Sequence, residues 1–330
     1  MSMTKMRASR VVEVGRIIYE EVDVLPVAEG QLLVETRHAS ICGSDLHVVF
    51  GGTSLTPPPQ PPGFPGHEGV GEVLESRDGR FEPGDLVLTC PWPTDAGCFA
   101  DFQTITARYC LKLPKYDGPT EDLMMAQQLG AVLFAFRRNK LDLHGKTVMV
   151  MGLGSSGQFF SYLAKRAGAA QVIGSDKSTA RLAASSAFGV DVAVMAEGDD
   201  VVQAVNDHTG GEGADLLIEA VGSQEALLQS VDLVRPSGDM LLFGVPDTLE
   251  NVPFNFNTFF RKKLTAYTEY GAQHEPDLVS FAQGLNLISS GEIDVSKMVS
   301  HTLPIEQIDE ALHLAHERDD DALKVSLSFP

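Results

Sequence analysis

Thr147-Val148-Met149-Val150-Met151 runs directly into Gly152-Leu153-Gly154-Ser155-Ser156-Gly157. The first five residues, apolar from Val148 to Met151, read as a buried strand. The glycine run reads as a tight turn opening a helix from about Ser156 to Arg166, with Phe159, Phe160, Leu163 and Ala164 on one face. G-x-G-x-x-G is a weak signal alone, but between a strand and a helix each glycine has a physical task. Gly152 permits the turn, Gly154 lets a pyrophosphate approach the backbone, and Gly157 lets helix pack on strand. An anion beside Ser155 and Ser156 would meet free N–H groups at the positive end of the helix dipole. The next strand, Gln171 to Ser175, leads to Asp176, about twenty residues after the glycines, where a carboxylate can accept bonds from both ribose hydroxyls of an adenosine. That charge repels a 2′-phosphate, so NAD is favoured over NADP, although Lys177 and Arg181 offset part of the repulsion. The simpler reading of Asp176 is a helix cap ahead of Ser178-Thr179-Ala180.

Outward from this turn the chain alternates strand and helix. Asp215-Leu216-Leu217-Ile218-Glu219 and Asp239-Met240-Leu241-Leu242-Phe243 continue the series, and near-continuous apolar strands of this kind form a parallel sheet covered on both faces. Val221, Gly244 and Val245, just past these strands, are further candidates for cofactor contact. The expected class is α/β, a Rossmann doubly wound parallel sheet occupying residues 141–270. Before Leu141 the texture differs. Arg10–Val14, Gln31–Thr36, Gly69–Leu74 and Asp85–Thr89 suggest a half-buried sheet, with Pro83-Gly84-Asp85 as a turn. After Gly271 two helices (Asp277 to Ser289, Ile305 to His316) and a strand (Leu323 to Ser328) are expected. This gives a mainly β domain from residues 1–140, with residues 271–330 returning to it.

A chain of 330 residues has room for two domains. Its formal net charge of −20 argues against nucleic acid and anionic membranes, which need clustered cations. No apolar run is long enough for a membrane span, and the N-terminus does not resemble a secretory signal, so a cytoplasmic location is expected. The four cysteines, Cys42, Cys90, Cys98 and Cys110, suit a reducing compartment, with metal binding or burial as their fate.

Cys42-Gly43-Ser44-Asp45-Leu46-His47 and Gly66-His67-Glu68 concentrate the chemistry. A thiolate and an imidazole are a donor pair that suits Zn²⁺, with room left for oxygen ligands and a substrate. Ser44 stands between Cys42 and His47, where a hydroxyl can take a proton from a metal-bound alcohol and give its own to an imidazole. The simpler alternative makes Cys42 a small buried hydrophobe and His47 a satisfied surface histidine. The proline-rich run from Thr56 to Pro65 excludes helix and central strand. It reads as a stiff loop delivering His67 or as a polyproline-like linker.

With Pro83-Gly84-Asp85-Leu86-Val87 and the glycine turn in the same order, the chain resembles the zinc-dependent medium-chain dehydrogenase/reductase superfamily, of the alcohol, polyol and sugar dehydrogenase type. The resemblance covers nearly the whole sequence. It implies a GroES-like catalytic domain built from both chain ends and an inserted cofactor domain, with the site in the cleft. By that resemblance Cys42 and His67 are zinc ligands, Ser44 and His47 form the proton relay, Asp45 orients His67, and Arg181 accompanies the ribose-binding acid.

Two departures stand out. The position of the family's third ligand holds Gln127, in Met125-Ala126-Gln127-Gln128-Leu129-Gly130, and a neutral amide is a weaker ligand than thiolate or carboxylate. Some sugar dehydrogenases of the superfamily pair the Glu after the zinc His with a Gln or Glu here, which would make Glu68 a ligand. The four-cysteine lobe is absent between Cys90 and Phe99, so one catalytic zinc and no structural zinc is expected. The resulting expectation is reversible NAD-linked oxidation of a small-molecule alcohol (polyol, sugar or secondary alcohol) to its carbonyl, by a homo-oligomer, dimer or tetramer. Two alternatives are a zinc-free enone or quinone reductase and a non-catalytic NAD-binding protein.

Overall fold

The computed structural model describes residues 5–54, 57–92, 95, 97–198, 200–317 and 321–330. Thr56 of the proline-rich run, and Pro93, Thr94 and Ala96 between Cys90 and Cys98, lie outside the described residues. The first segment supplies β1 (Lys5–Glu13), β2 (Arg16–Asp23), β3 (Gln31–Ser40), α1 (Gly43–Val49), β4 (Gly69–Ser76), β5 (Leu86–Thr89), β6 (Phe102–Thr106), β7 (Cys110–Lys112), α2 (Thr120–Met124) and α3 (Ala126–Asn139). The middle segment supplies β8 (Thr147–Met151), α4 (Ser155–Arg166), β9 (Gln171–Asp176), α5 (Thr179–Ala184), β10 (Val192–Met195), α6 (Asp200–Thr209), β11 (Ala214–Glu219), α7 (Gln224–Leu233), β12 (Val234–Leu242), α8 (Phe256–Lys262) and β13 (Thr265–Thr268). The last supplies α9 (Val279–Ser289), β14 (Val299–Pro304), α10 (Ile308–Glu317) and β15 (Lys324–Ser328).

One compact unit takes both ends of the chain, Met1–Ala131 and Ala272–Pro330. Its sheet runs β14-β15-β3-β4-β5-β7, with β6 also paired to β3. β3 has neighbours along both edges: β4 on one, β6 and then β15 on the other. That position explains why its inward residues Leu32, Val34 and Ala39 are fully buried. The register sets Ser40 opposite Ser326 and Ala39 opposite Gly69. The residues just past β3, just before β4 and at the start of β15 therefore meet in one place. α10 packs behind, contributing Ile308, Ala311 and Leu312 to a core shared with Ile41, Phe99 and Leu327.

The second unit is Val132–Gly271. Its six strands are parallel in the order β10-β9-β8-β11-β12-β13, among the described residues. In chain order this is the 3-2-1-4-5-6 arrangement of a dinucleotide-binding sheet. Met149, Ile173, Leu217 and Met240 are buried in its core. The boundary falls inside α3, ahead of the change in texture at Leu141. The cause is packing: Phe136, in the second half of that helix, meets Phe160 of α4 edge-on at 5.3 Å.

Helix starts near the C-terminus also differ from the sequence reading. Asp277 and Leu278 have φ of +57° and +51°, so α9 begins only at Val279. Ile305–Gln307 forms one tight 3-10 turn after Pro304, and α10 follows from Ile308. Among the described residues no helix is long and apolar enough to cross a membrane.

Candidate active site

Leaving β3, the chain caps α1 with Cys42. The Asp45 carboxylate reaches back, and its Oδ2 accepts the Cys42 N–H at 2.9 Å, the reciprocal bond of a capping box. The spacing of the Cys42 motif thus has a local structural cause. Oδ1 of the same carboxylate lies 3.0 Å from His67 Nδ1, and Pro65 O stands 3.1 Å from that nitrogen. Two acceptors at Nδ1 place the hydrogen there in the neutral ring and leave the Nε2 lone pair for a ligand. His67 arrives after Gly66, where any Cβ would stand 2.5 Å from the Phe99 ring, so the approach tolerates only glycine.

Cys42, His67 and Glu68 each offer a donor atom, and the three atoms lie within 4.8 Å of one another. Thiol, imidazole and carboxylate at that spacing fit a borderline-soft divalent ion. Electrostatics sharpen the picture. Burial works against a charged His67 ring, but Asp45 and the Cys42 sulfur outweigh it and hold the pKa well above the usual histidine value. Burial pushes the Asp45 carboxyl upward, with His67 pulling the other way.

Glu68 carries a partner that the sequence reading missed. Its Oε2 accepts from the Lys324 ammonium at 2.5 Å and from the Ser40 hydroxyl. Both charged residues are buried, Glu68 2% and Lys324 4% exposed. Burial alone would raise Glu68, yet Lys324 and His67 pull it below the usual glutamate value. Lys324 is in turn held above its own, despite burial, by Glu68 and Cys42. The charge that Glu68 brings beside the thiol is therefore met by a lysine from the far end of the chain. The available clue was Lys324 between the apolar Leu323 and Val325 in the closing strand, since a buried ammonium needs a counter-ion.

Ser44 and His47 are both half-buried and lie one turn apart on α1, a spacing that puts them on one face. Gln127 is buried in the first turn of α3, in the same unit. Cys90, Cys98 and Cys110 are buried free thiols, and burial pushes all three toward the neutral form.

In the other unit the strand ends form a cradle. Met151 is in register with Ser175 and with Glu219, and Glu219 with Leu242. The glycine turn, Asp176, Val221, Gly244 and Val245 therefore gather at the carboxyl edge of the sheet, where open α/β sheets bind ligands. α4 starts at Ser155, with Gly154 as its cap residue. A Cβ on Gly157 would stand 1.8 Å from Gly152 O, so helix and turn are as close as glycine allows. Asp176 accepts the Leu153 N–H through Oδ2 and the Ser178 N–H through Oδ1, each at 2.8 Å. Ser178, not Asp176, caps α5, its hydroxyl accepting from Arg181 N–H. The Glu219 carboxylate, which the sequence reading passed over, accepts the N–H groups of Val221 at 2.7 Å and Gly222 at 2.9 Å and fixes that loop.

A family model described as an alcohol dehydrogenase GroES-like domain matches residues 28–115, and one described as a zinc-binding dehydrogenase matches residues 157–284. L-Threonine 3-dehydrogenase of Pyrococcus abyssi is 29% identical over 308 residues, which is 85% of this chain and 86% of that protein. Sorbitol dehydrogenase of Bacillus subtilis is 24% identical over 334 residues, 92% of this chain and 93% of that one. The solved structure of an alcohol dehydrogenase from Thermus sp. ATN1 matches with a TM-score of 0.82 at 26% identity, covering 98% of this chain and 100% of the other.

Proposed function

The chain belongs to the zinc-dependent medium-chain alcohol and polyol dehydrogenases, and from that premise we propose that it interconverts an alcohol and its carbonyl by hydride transfer to and from NAD. The observation that carries this is the convergence of Cys42, His67 and Glu68 donors within 4.8 Å. Cys42 and His67 would hold one zinc, with Glu68 and Gln127 completing the donor set. When bound, zinc supplies Lewis acidity toward the substrate oxygen and the nicotinamide supplies the hydride acceptor.

The protein's own residues do the rest. Asp45 holds His67 with its hydrogen on Nδ1, so the ring presents Nε2. Lys324 and Ser40 hold the Glu68 carboxylate and keep it ionised in a buried place. Ser44 takes the substrate hydroxyl proton and passes its own to His47, one turn along α1, and in reduction the relay runs inward. Asp176 receives the adenosine ribose hydroxyls, and the N–H groups opening α4 receive the pyrophosphate. NAD is preferred over NADP because the Asp176 charge repels a 2′-phosphate. The substrate is a polyol, sugar or secondary alcohol, a class supported by relatives whose names denote hydroxylated compounds.

The neutral Gln127, and a Glu68 already engaged by Lys324, favour a second reading in which NAD binds without turnover. NAD⁺ reduction across sugars, polyols and secondary alcohols, on protein assayed for zinc and repeated with chelator, separates the two. Chelator-sensitive NADH formation supports the dehydrogenase, and cofactor binding with no turnover in zinc-loaded protein supports the second reading.

A further inference from the structure

Gln158, the residue after the last glycine of the turn, has a fully buried side chain inside the cofactor unit. Its Nε2 donates to two backbone carbonyls from separate segments: Leu153 O in the glycine turn and Arg181 O in α5, each at 3.1 Å. Two carbonyl acceptors fix the amide orientation, because the reversed amide would set oxygen against oxygen. The other end of the amide, Oε1, is buried with no hydrogen-bond partner among the described residues. A buried polar group satisfied on one side only is disfavoured beside an apolar side chain of similar size. What the glutamine supplies is the pair of donations.

Those donations close a ring. Leu153 N–H bonds to Asp176, Asp176 to Ser178 N–H, and the Ser178 hydroxyl accepts Arg181 N–H; Arg181 O returns through Gln158 to Leu153 O. Arg181 is thus held at both its N–H and its C=O. Its guanidinium stands 3.8 Å from Asp176 Oδ2 and 3.6 Å from where a Cβ on Gly154 would be. We propose that Gln158 is a positioning residue for cofactor choice: by tying α5 to the glycine turn it keeps Arg181 paired with Asp176 and keeps the Asp176 carboxylate aimed at the ribose hydroxyls. This rests on the reading of the site as an NAD cradle. Freed of the tie, α5 and the glycine turn are no longer joined through Gln158, and Asp176, bonded to both, loses part of the frame that aims it at the ribose hydroxyls.

The test compares dissociation constants for NADH and NADPH, by fluorescence titration, in the full-length protein and in Gln158→Met and Gln158→Asn. Gln158→Met keeps the bulk and removes both donations. It is expected to weaken NADH about tenfold while leaving NADPH unchanged or tighter, on the scale of one or two net hydrogen bonds. Gln158→Asn keeps a donor one methylene short and is expected to fall between. A purely structural role would weaken both cofactors in proportion. An unchanged NADH-to-NADPH ratio in either folded variant therefore overturns the proposal. If Gln158→Met does not fold, Gln158→Asn decides alone, a narrowed ratio supporting the proposal and an unchanged one ending it. Unmodified protein that binds neither cofactor overturns the NAD reading and this inference with it. Unmodified protein that binds NADH, with an unmoved ratio in the variants, overturns this inference alone.

Discussion

The glycine turn and the Cys42–His67 cluster are built from different material. The turn works with backbone: N–H groups at a helix start, a glycine whose added Cβ would stand 1.8 Å from a backbone oxygen, and one carboxylate tied to the main chain. The cluster works with side-chain charge in a buried place, where each member is held by another: His67 by Asp45, Glu68 by Lys324 and Ser40. The first is therefore sensitive to volume and indifferent to charge at a distance, whereas the second is sensitive to charge and to burial. Each region also lies within its own compact unit, so damage to one should spare the binding function of the other.

Cys42→Ser should break the pairing most severely. Zinc content should fall to background and turnover by at least about 10³-fold, the effect of losing several kcal/mol of Lewis-acid stabilisation. The NADH dissociation constant should stay within about twofold. Gly157→Ala is the mirror experiment. Its Cβ meets Gly152 O, and overpacking of this kind costs about 1–3 kcal/mol or more. NADH affinity should fall by about a hundredfold while zinc content, read by atomic absorption, holds. Should either variant lose both ligands together, the two sites are not separable as described.

Lys324→Met tests the charge half of the contrast. Removing one partner of a buried ion pair costs about 3–5 kcal/mol, read as a shift in urea midpoint at neutral pH. The sign with pH follows from the two pKa directions. Glu68, held low, stabilises the fold above its unfolded pKa, and that contribution is lost as pH falls through the depressed value. Lys324, held high, stabilises below its unfolded pKa, and that is lost as pH rises through the raised value. In the variant Glu68 keeps only Ser40 and His67 and protonates more readily. The deficit against the unmodified protein should then shrink as pH drops below the ordinary glutamate range.

Gln127→Glu is the mildest change and sharpens the donor assignment. A carboxylate in place of the amide should tighten zinc by about tenfold in competition with a chromophoric chelator. An unchanged affinity would remove Gln127 from the donor set.

The same contrast explains what the sequence could reveal. The strand Thr147–Met151, the turn and Asp176 lie within thirty residues and obey local rules, so their place in the fold can be read in order. Cys42, Asp45 and His67 announce themselves by residue type and spacing. Lys324 does not, because its partner Glu68 is 256 positions away and only the β15–β3–β4 register brings them together. Gln158 and Glu219 are hidden for a similar reason: each is an ordinary polar residue until the carbonyls or N–H groups it bonds are known. The start of α9 was obscured by left-handed backbone at Asp277 and Leu278, residues that seldom take it.

The most direct measurement is anomalous diffraction at the zinc edge from crystals of zinc-loaded protein. One peak is expected in the Cys42 cluster, about 2.3 Å from the Cys42 sulfur and about 2.0 Å from His67 Nε2. Zinc-loaded crystals with no peak between those two side chains, or with the metal bound only elsewhere, would contradict a metal-centred alcohol dehydrogenase and leave the nucleotide fold alone.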